Sequence, residues 1–267
     1  MMERLAMIGC GKMGEALLSG LLGSGWAVPG DLAVVERSES RRDDLATRYP
    51  AVPIYDAPVA FEAAVLAVKP AEAQAACAAL GGASPGTKRV LSIVAGVGSV
   101  QIAAWLPPGT AVVRAMPNVA ALVGCSATAL APGPGSGPAD MEWAESVMAA
   151  VGDSVQVEEA LLDAVTGLSG SGPAYLLLVV EAMTEAGVHA GLSRQQSAAL
   201  VHSTFAGVSA LLGRSGQTPE ALRSAVTSPA GTTAAGLRVL EDRATRAAFM
   251  AAVESAASRS AELGRKA

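Results

Sequence analysis

Leu5-Ala-Met-Ile-Gly-Cys-Gly-Lys-Met-Gly-Glu-Ala-Leu-Leu-Ser-Gly-Leu-Leu22 is the stretch that decides the fold. A short apolar run, residues 5–8, reads as a buried strand, and residues 13–24 carry the spacing of a helix packed on one face. Between them, Gly9, Gly11 and Gly14 stand in G-x-G-x-x-G order. In that context the glycines allow a tight turn, a close approach of a pyrophosphate and close helix packing, while the helix N-terminus favours negative charge. A turn that is merely tight is the competing reading of the same glycines.

The same alternation continues downstream. Strands are expected over residues 32–35, 64–68, 90–94 and 111–114, with later ones over 126–130 and 154–157. Helices fit between them at 41–48, 71–80, 100–106 and 140–151, the signature of a parallel α/β sheet. After Val157 the strand signal stops and helical patterns take over at 159–168, 173–187, 194–212, 219–226, 232–240 and 245–263. The expected architecture is α/β: a Rossmann-type parallel sheet domain over residues 1–157, followed by an all-α domain over residues 158–267. Residues 174–183 are apolar almost all round, so that helix is either deeply buried or covered by a second chain.

Composition narrows the function. Hydrophobic residues make up 51% of the 267-residue chain and charged residues 16%, which supports a large core. Aromatic residues, at 3%, are too sparse for base-stacking platforms, and a net charge of -5 without a dense basic run argues against nucleic acid. The long uncharged stretches are broken by Gly, Pro, Ser and Asn, and the N-terminus runs straight into the glycine motif, so no membrane span or signal peptide is expected. A cytoplasmic protein is the expectation. Cys10, Cys77 and Cys125 lie far apart and read as small core residues; His189 and His202 lack partners at ligand spacing, and no metal is expected.

Several segments carry chemistry on their own terms. Glu36, just past the second strand, suits an adenosine ribose diol, whereas Arg37 and Ser38 suit a 2′-phosphate. The charge run from Glu36 to Arg42 also reads as a solvated turn and helix start. Lys69 and Pro70 end the third strand, and Arg114 and Asn118 flank the end of the fifth, on the side where an open parallel sheet binds ligands. Arg114 equally suits an ion pair, and Asn118 a turn. Ser169-Gly-Ser-Gly-Pro-Ala-Tyr175 reads as a loop capped into a helix. Thr227-Ser-Pro-Ala-Gly-Thr-Thr233 enters another helix; its free N–H groups and hydroxyls make either an anion pocket for a small carboxylate or an ordinary N-cap. Nucleophile elbows, Cys/His pairs, close carboxylate pairs and metal clusters are missing from the sequence, which leaves hydride transfer by a bound cofactor.

Taken in order, GCGKMGEALLSGLL, AVKP, VRAMPN, LSGSGPAY and AVTSPAGTTAAGL resemble the pyrroline-5-carboxylate reductase family over nearly the whole chain. The resemblance implies reduction of the C=N bond of 1-pyrroline-5-carboxylate to L-proline, the last step of proline biosynthesis, by NAD(P)H. It implies coenzyme phosphates on Gly9, Gly11, Lys12 and Met13 of the motif that Gly14 closes, with the nicotinamide near Ala67, Lys69 and Pro70 and close to Asn118. It puts the substrate carboxylate on Ser228, Gly231, Thr232 and Thr233, with Thr233 near the imine nitrogen as the candidate catalytic residue. It also tips Arg37 and Ser38 towards NADPH, with Glu36 turned away or on a ribose or adenine edge and NADH a usable second coenzyme. A homo-oligomer, at least a dimer through the helical domain, is expected. Ala230 departs from the family, where a second glycine is more frequent. Two rival readings are a hydroxyacid dehydrogenase, which would want a lysine in the central helices where this sequence has none, and a non-catalytic dinucleotide sensor.

Overall fold

The computed structural model describes residues 5–265. Its strands are β1 (Leu5–Ile8), β2 (Leu32–Val35), β3 (Ile54–Tyr55), β4 (Ala63–Leu66), β5 (Arg89–Ser92), β6 (Ala111–Met116), β7 (Ser126–Pro132) and β8 (Gly152–Gln156). They form one sheet in the order β3-β2-β1-β4-β5-β6-β7-β8. Between them lie α1 (Lys12–Gly23), α2 (Glu39–Arg48), α3 (Ala73–Ala83), α4 (Ser99–Ala104) and α5 (Pro138–Met148).

Strand β1 shows why the sheet sits in the middle. Leu5 and Met7 point to one face, where they pack with Leu17, Leu18 and Leu21 of α1 and with Ala144 and Met148 of α5. Ala6 and Ile8 point to the other, against Cys77, Leu80 and Ile102 of α3 and α4. Each fully buried leucine contributes roughly 1.5–3 kcal/mol by leaving water, so both faces must be covered, and near-continuous apolar strands result.

Two features of the sheet depart from the sequence expectation. Strand β7 runs antiparallel to β6, in the register Val113 to Pro132 and Met116 to Ala129. A parallel return needs a long crossover, whereas only a 3₁₀ turn, Val119–Val123, and the left-handed Gly124 at φ 70° link these two strands. The two-residue edge strand β3 is too short to leave a periodic signal.

Among the described residues, the first compact unit holds 5–171 with 254–265; the second holds 172–253. In the first, α6 (Leu162–Val165) continues into a π-helical turn, Thr166–Gly170. The expected loop at Ser169 is therefore a wide helical turn, and Ser169 donates its hydroxyl to the Val165 carbonyl at 3.2 Å instead of capping a helix. The second unit contains α7 (Gly172–His189), α8 (Arg194–Ser215), α9 (Pro219–Ala225) and α10 (Thr232–Asp242), and α11 (Thr245–Gly264) begins there. Ser193 caps α8 by accepting the Gln196 N–H at 3.2 Å. Gly187 lets α7 and α8 approach, since a Cβ there would meet the Ser197 hydroxyl at 2.1 Å. Within the chain, however, Leu176, Leu177 and Leu178 stay 56%, 59% and 65% exposed. Among the described residues no helix is long and apolar enough to cross a membrane. Cys10 and Cys77 are buried as expected, but Cys125, in the connection between β6 and β7, is exposed.

Arg114, within β6, pairs with Glu159 at 3.0 Å, and Glu159 also accepts the Ser99 N–H at 2.7 Å and the Ser99 hydroxyl. Burial pushes the Glu159 carboxyl up, but the Ser99 bonds and the Arg114 guanidinium outweigh it and hold the group below its ordinary 4.5. A depressed folded value means that the stabilisation is present above the ordinary value and lost as pH falls through the folded one. Glu159→Gln should therefore cost about 1–3 kcal/mol near neutral pH, with the gap to the native protein closing in acid. Thermal melts from about pH 7 to about pH 3 check this; a gap that persists in acid would contradict it.

Candidate active site

A cleft of about 790 Å³ opens at the carboxyl ends of β1, β2 and β4, across the point where the strand order reverses. The β1 turn contributes Gly9, Cys10 and Gly11, the end of β2 contributes Glu36, Arg37 and Ser38, and the end of β4 contributes Ala67, Val68 and Lys69. Glu72 follows, and Ala75, Ala76 and Ala79 present only methyl groups along α3, while Asp56, Ala57 and Pro58 complete the lining.

The glycines differ in what they do. Gly9 adopts φ +83°, and a Cβ there would sit 2.7 Å from Val68 Cγ1 and 2.9 Å from the Ala67 carbonyl oxygen. Gly14 lies against the turn itself, since its Cβ would meet the Gly9 carbonyl oxygen at 2.7 Å. Gly11 is the reverse case: nothing lies within 4 Å of the place its Cβ would occupy. Two glycines therefore close the turn against β4 and α1, and the third leaves an open approach to the N-terminus of α1. That combination fits a pyrophosphate, which needs backbone N–H groups that no side chain shields.

A network of charges fixes the surrounding turns. Glu36 accepts the Cys10 N–H on one carboxylate oxygen and the Ser38 N–H on the other, each at 3.0 Å, so it ties the glycine turn to the end of β2. Arg42 donates to the carbonyls of Glu36 at 3.0 Å and Arg37 at 2.8 Å. Arg41 donates to the Cys10 carbonyl at 2.9 Å and pairs with Glu15 at 2.6 Å and Asp44 at 2.5 Å. Burial raises the Glu15 carboxyl, but the bonds from Arg41 and Arg48 prevail and hold it low. The charge run in the sequence hides what Arg41 does: the Cys10 carbonyl it reaches is 31 residues away and becomes its neighbour only once β1 and β2 lie side by side. Burial lifts the Cys10 thiol to about 12, which leaves it protonated and poorly nucleophilic.

Of the other candidates, Lys69 lines the cleft, whereas Lys12, Met13, Gly14, Pro70 and Asn118 do not. Met13 packs against the core beneath the turn, Lys12 is exposed, and Pro70 opens the 3₁₀ turn Pro70–Glu72. Asn118 is engaged in structure: its side chain accepts the Ala120 N–H and donates to the Ser169 carbonyl, both at 3.1 Å. Arg114 is taken up by Glu159.

The segment 227–233 lies in the second unit. Thr227 donates its hydroxyl to the Arg223 carbonyl at 2.7 Å, and the Gly231 N–H closes a turn on the Ser228 carbonyl at 3.1 Å. Gly231 is the N-cap of α10 and supplies no side-chain cap. Among the described residues, the hydroxyls of Ser228, Thr232 and Thr233 make no hydrogen bond within the chain, so they and the first N–H groups of α10 are available to an anion. Ala230 adopts φ +57°, a left-handed conformation that costs a residue with a Cβ about 1–2 kcal/mol. Among the described residues no group of His, Cys, Asp and Glu side chains could hold a metal.

Comparison with known proteins adds the family. The family model described as pyrroline-5-carboxylate reductase dimerisation matches residues 159–263, and one described as NADP oxidoreductase, coenzyme F420-dependent, matches residues 4–96. The pyrroline-5-carboxylate reductase of Mycobacterium tuberculosis is 45% identical, over 98% of this chain and 97% of that one. A solved pyrroline-5-carboxylate reductase from Coxiella burnetii superimposes with a TM-score of 0.92 at 32% identity, covering 98% of both chains. The Plasmodium falciparum pyrroline carboxylate reductase, solved with NADP bound, gives 0.83 at 26% identity, again over 98% of both. With relatives this similar over almost the whole chain, the protein belongs to the pyrroline-5-carboxylate reductase family.

Proposed function

We propose that this protein reduces the C=N bond of 1-pyrroline-5-carboxylate to L-proline with NAD(P)H. The observation that carries the reading is the pairing of an open glycine turn at Gly11 with a second segment, residues 227–233, that offers unengaged hydroxyls and helix N–H groups. A dinucleotide suits the first and a small carboxylate suits the second. We assign residues 1–157 to the coenzyme and 158–267 to substrate and assembly, a division supported by the family match that begins at residue 159.

When bound, the nicotinamide coenzyme supplies a hydride to the imine carbon. The chain's part is to hold and orient. Gly9 and Gly11 leave room for the phosphates and the backbone N–H groups of Lys12 and Met13, at the N-terminus of α1, receive them; Gly14 keeps α1 against the turn, Ala67 and Lys69 flank the nicotinamide, and Pro70 and Asn118 shape the neighbouring turns. Ser228, Gly231, Thr232 and Thr233 hold the substrate carboxylate. A cyclic imine that arrives protonated is already electrophilic, so a strong side-chain acid is not required and geometry does most of the work. Thr233 fixes the imine nitrogen with a hydrogen bond. An absorbance assay of NADPH oxidation with pyrroline-5-carboxylate, set beside 3-hydroxyacids with NADP, tests the reaction class. Thr233→Val should lower kcat/KM for the imine by roughly ten- to a hundredfold, the worth of one bond to a charged group. An unchanged kcat/KM would remove Thr233 from the site.

For the coenzyme we infer NADPH, with NADH usable as a second. Arg37 and Ser38 line the cleft, and both oxygens of Glu36 already accept backbone N–H groups, which turns that carboxylate towards shaping the loop. Replacing Arg37 and Ser38 together by Ala should raise KM for NADPH at least tenfold, since charge-assisted bonds of about 1.5–3 kcal/mol each are lost, while KM for NADH barely moves. Equal loss for both coenzymes would make Glu36 the ribose ligand instead.

We also infer a homo-oligomer, at least a dimer, built through the helical segment, because Leu176, Leu177 and Leu178 are more than half exposed in the single chain. Light scattering at micromolar concentration should give at least twice the chain mass; a monomeric mass with activity intact would refute it. We place the protein in the cytoplasm, with the coenzyme pool it draws on, and recovery of the active protein with membranes on cell fractionation would contradict this.

A further inference from the structure

We propose that Glu72 sets how strongly the cleft favours a coenzyme with a 2′-phosphate, by competing with that phosphate for Arg37. The proposal rests on the coenzyme reading above, in which Arg37 grips the phosphate. Arg37 comes from the end of β2 and Glu72 from the turn after β4, and the two line the same cleft. Arg37 Nη2 stands 2.5 Å from Glu72 Oε1, so the guanidinium is already partnered by a carboxylate.

Glu72 is held where it competes. Its N–H donates to the Lys69 carbonyl at 2.9 Å, and α3 starts at the next residue, so the backbone beneath the carboxylate is fixed. The pair itself is easily opened: the two side chains are 68% and 40% exposed, and water screens such contacts heavily. A phosphate carrying close to two charges outbids one carboxylate for a guanidinium, yet it must first displace or share Glu72. A coenzyme with a free 2′-hydroxyl asks nothing of Arg37 and leaves the pair intact. Glu72 thus acts through Arg37 as a specificity-determining residue, lowering the advantage that the phosphate would otherwise bring.

The readout is the ratio of Kd for NADH to Kd for NADPH, measured by calorimetric titration of the intact protein with each coenzyme. Damage to the fold moves both constants and leaves the ratio alone. Glu72→Gln should raise the ratio about three- to tenfold by freeing Arg37 from a screened ion pair. The same substitution made in an Arg37→Ala background should leave the ratio where Arg37→Ala alone puts it. An equal gain in both backgrounds would mean that Glu72 repels the phosphate directly, and the competition would be overturned. No gain in either would also overturn it. If Arg37→Ala alone leaves the ratio unchanged, the phosphate reading of Arg37 fails first, which separates that failure from a failure of Glu72.

Discussion

The left-handed turn at Gly9, with Val68 and the Ala67 carbonyl within 3 Å of where a side chain would stand, forces β1 to end against β4 and hands the chain directly to α1. Gly14 completes the constraint by lying on the Gly9 carbonyl, so the helix cannot drift from the strand. The N-terminus of α1 is thereby aimed into the gap where the strand order reverses, and the cleft forms there for want of any side chain to fill it. A methyl group at either position would have to push backbone aside, and that is where substitution would reach furthest into the fold.

Around this turn the polar groups divide their work. Arg41, Arg42 and Glu36 bind backbone atoms of the glycine turn or of the end of β2, so their charge is spent on holding loops in place. Arg37 and Lys69 are left facing the cleft, alongside Glu72 and Asp56. The cleft is therefore of mixed charge and not simply basic, in keeping with a chain whose net charge is -5. An anion is recognised by placed N–H groups and single cations, and not by a diffuse positive field.

The parallel core was legible because a strand covered on both faces must be apolar throughout, and residues 5–8, 32–35 and 63–66 are. Strand direction at β7 was not, since it depends on the length of the link through Val119–Val123 and not on the strand's own residues. The turn chemistry at Gly9 is local and shows in the motif, whereas Arg37 meeting Glu72, 35 residues away, is set by which strands become neighbours. Ala230 is a mixed case: residues 227–233 announce a helix entry, but the left-handed backbone at a residue with a Cβ shows only in the fold.

Two segments that each lack a strong acid or nucleophile are enough only if the coenzyme itself carries the reaction, and this is the centre of the account. The most direct measurement supplies NADPH bearing deuterium at both C4 positions of the nicotinamide, with pyrroline-5-carboxylate, and analyses the proline by mass spectrometry. The account predicts one deuterium per molecule, on the former imine carbon and nowhere else. Proline formed without the label, or label lost to water, would contradict a direct hydride transfer.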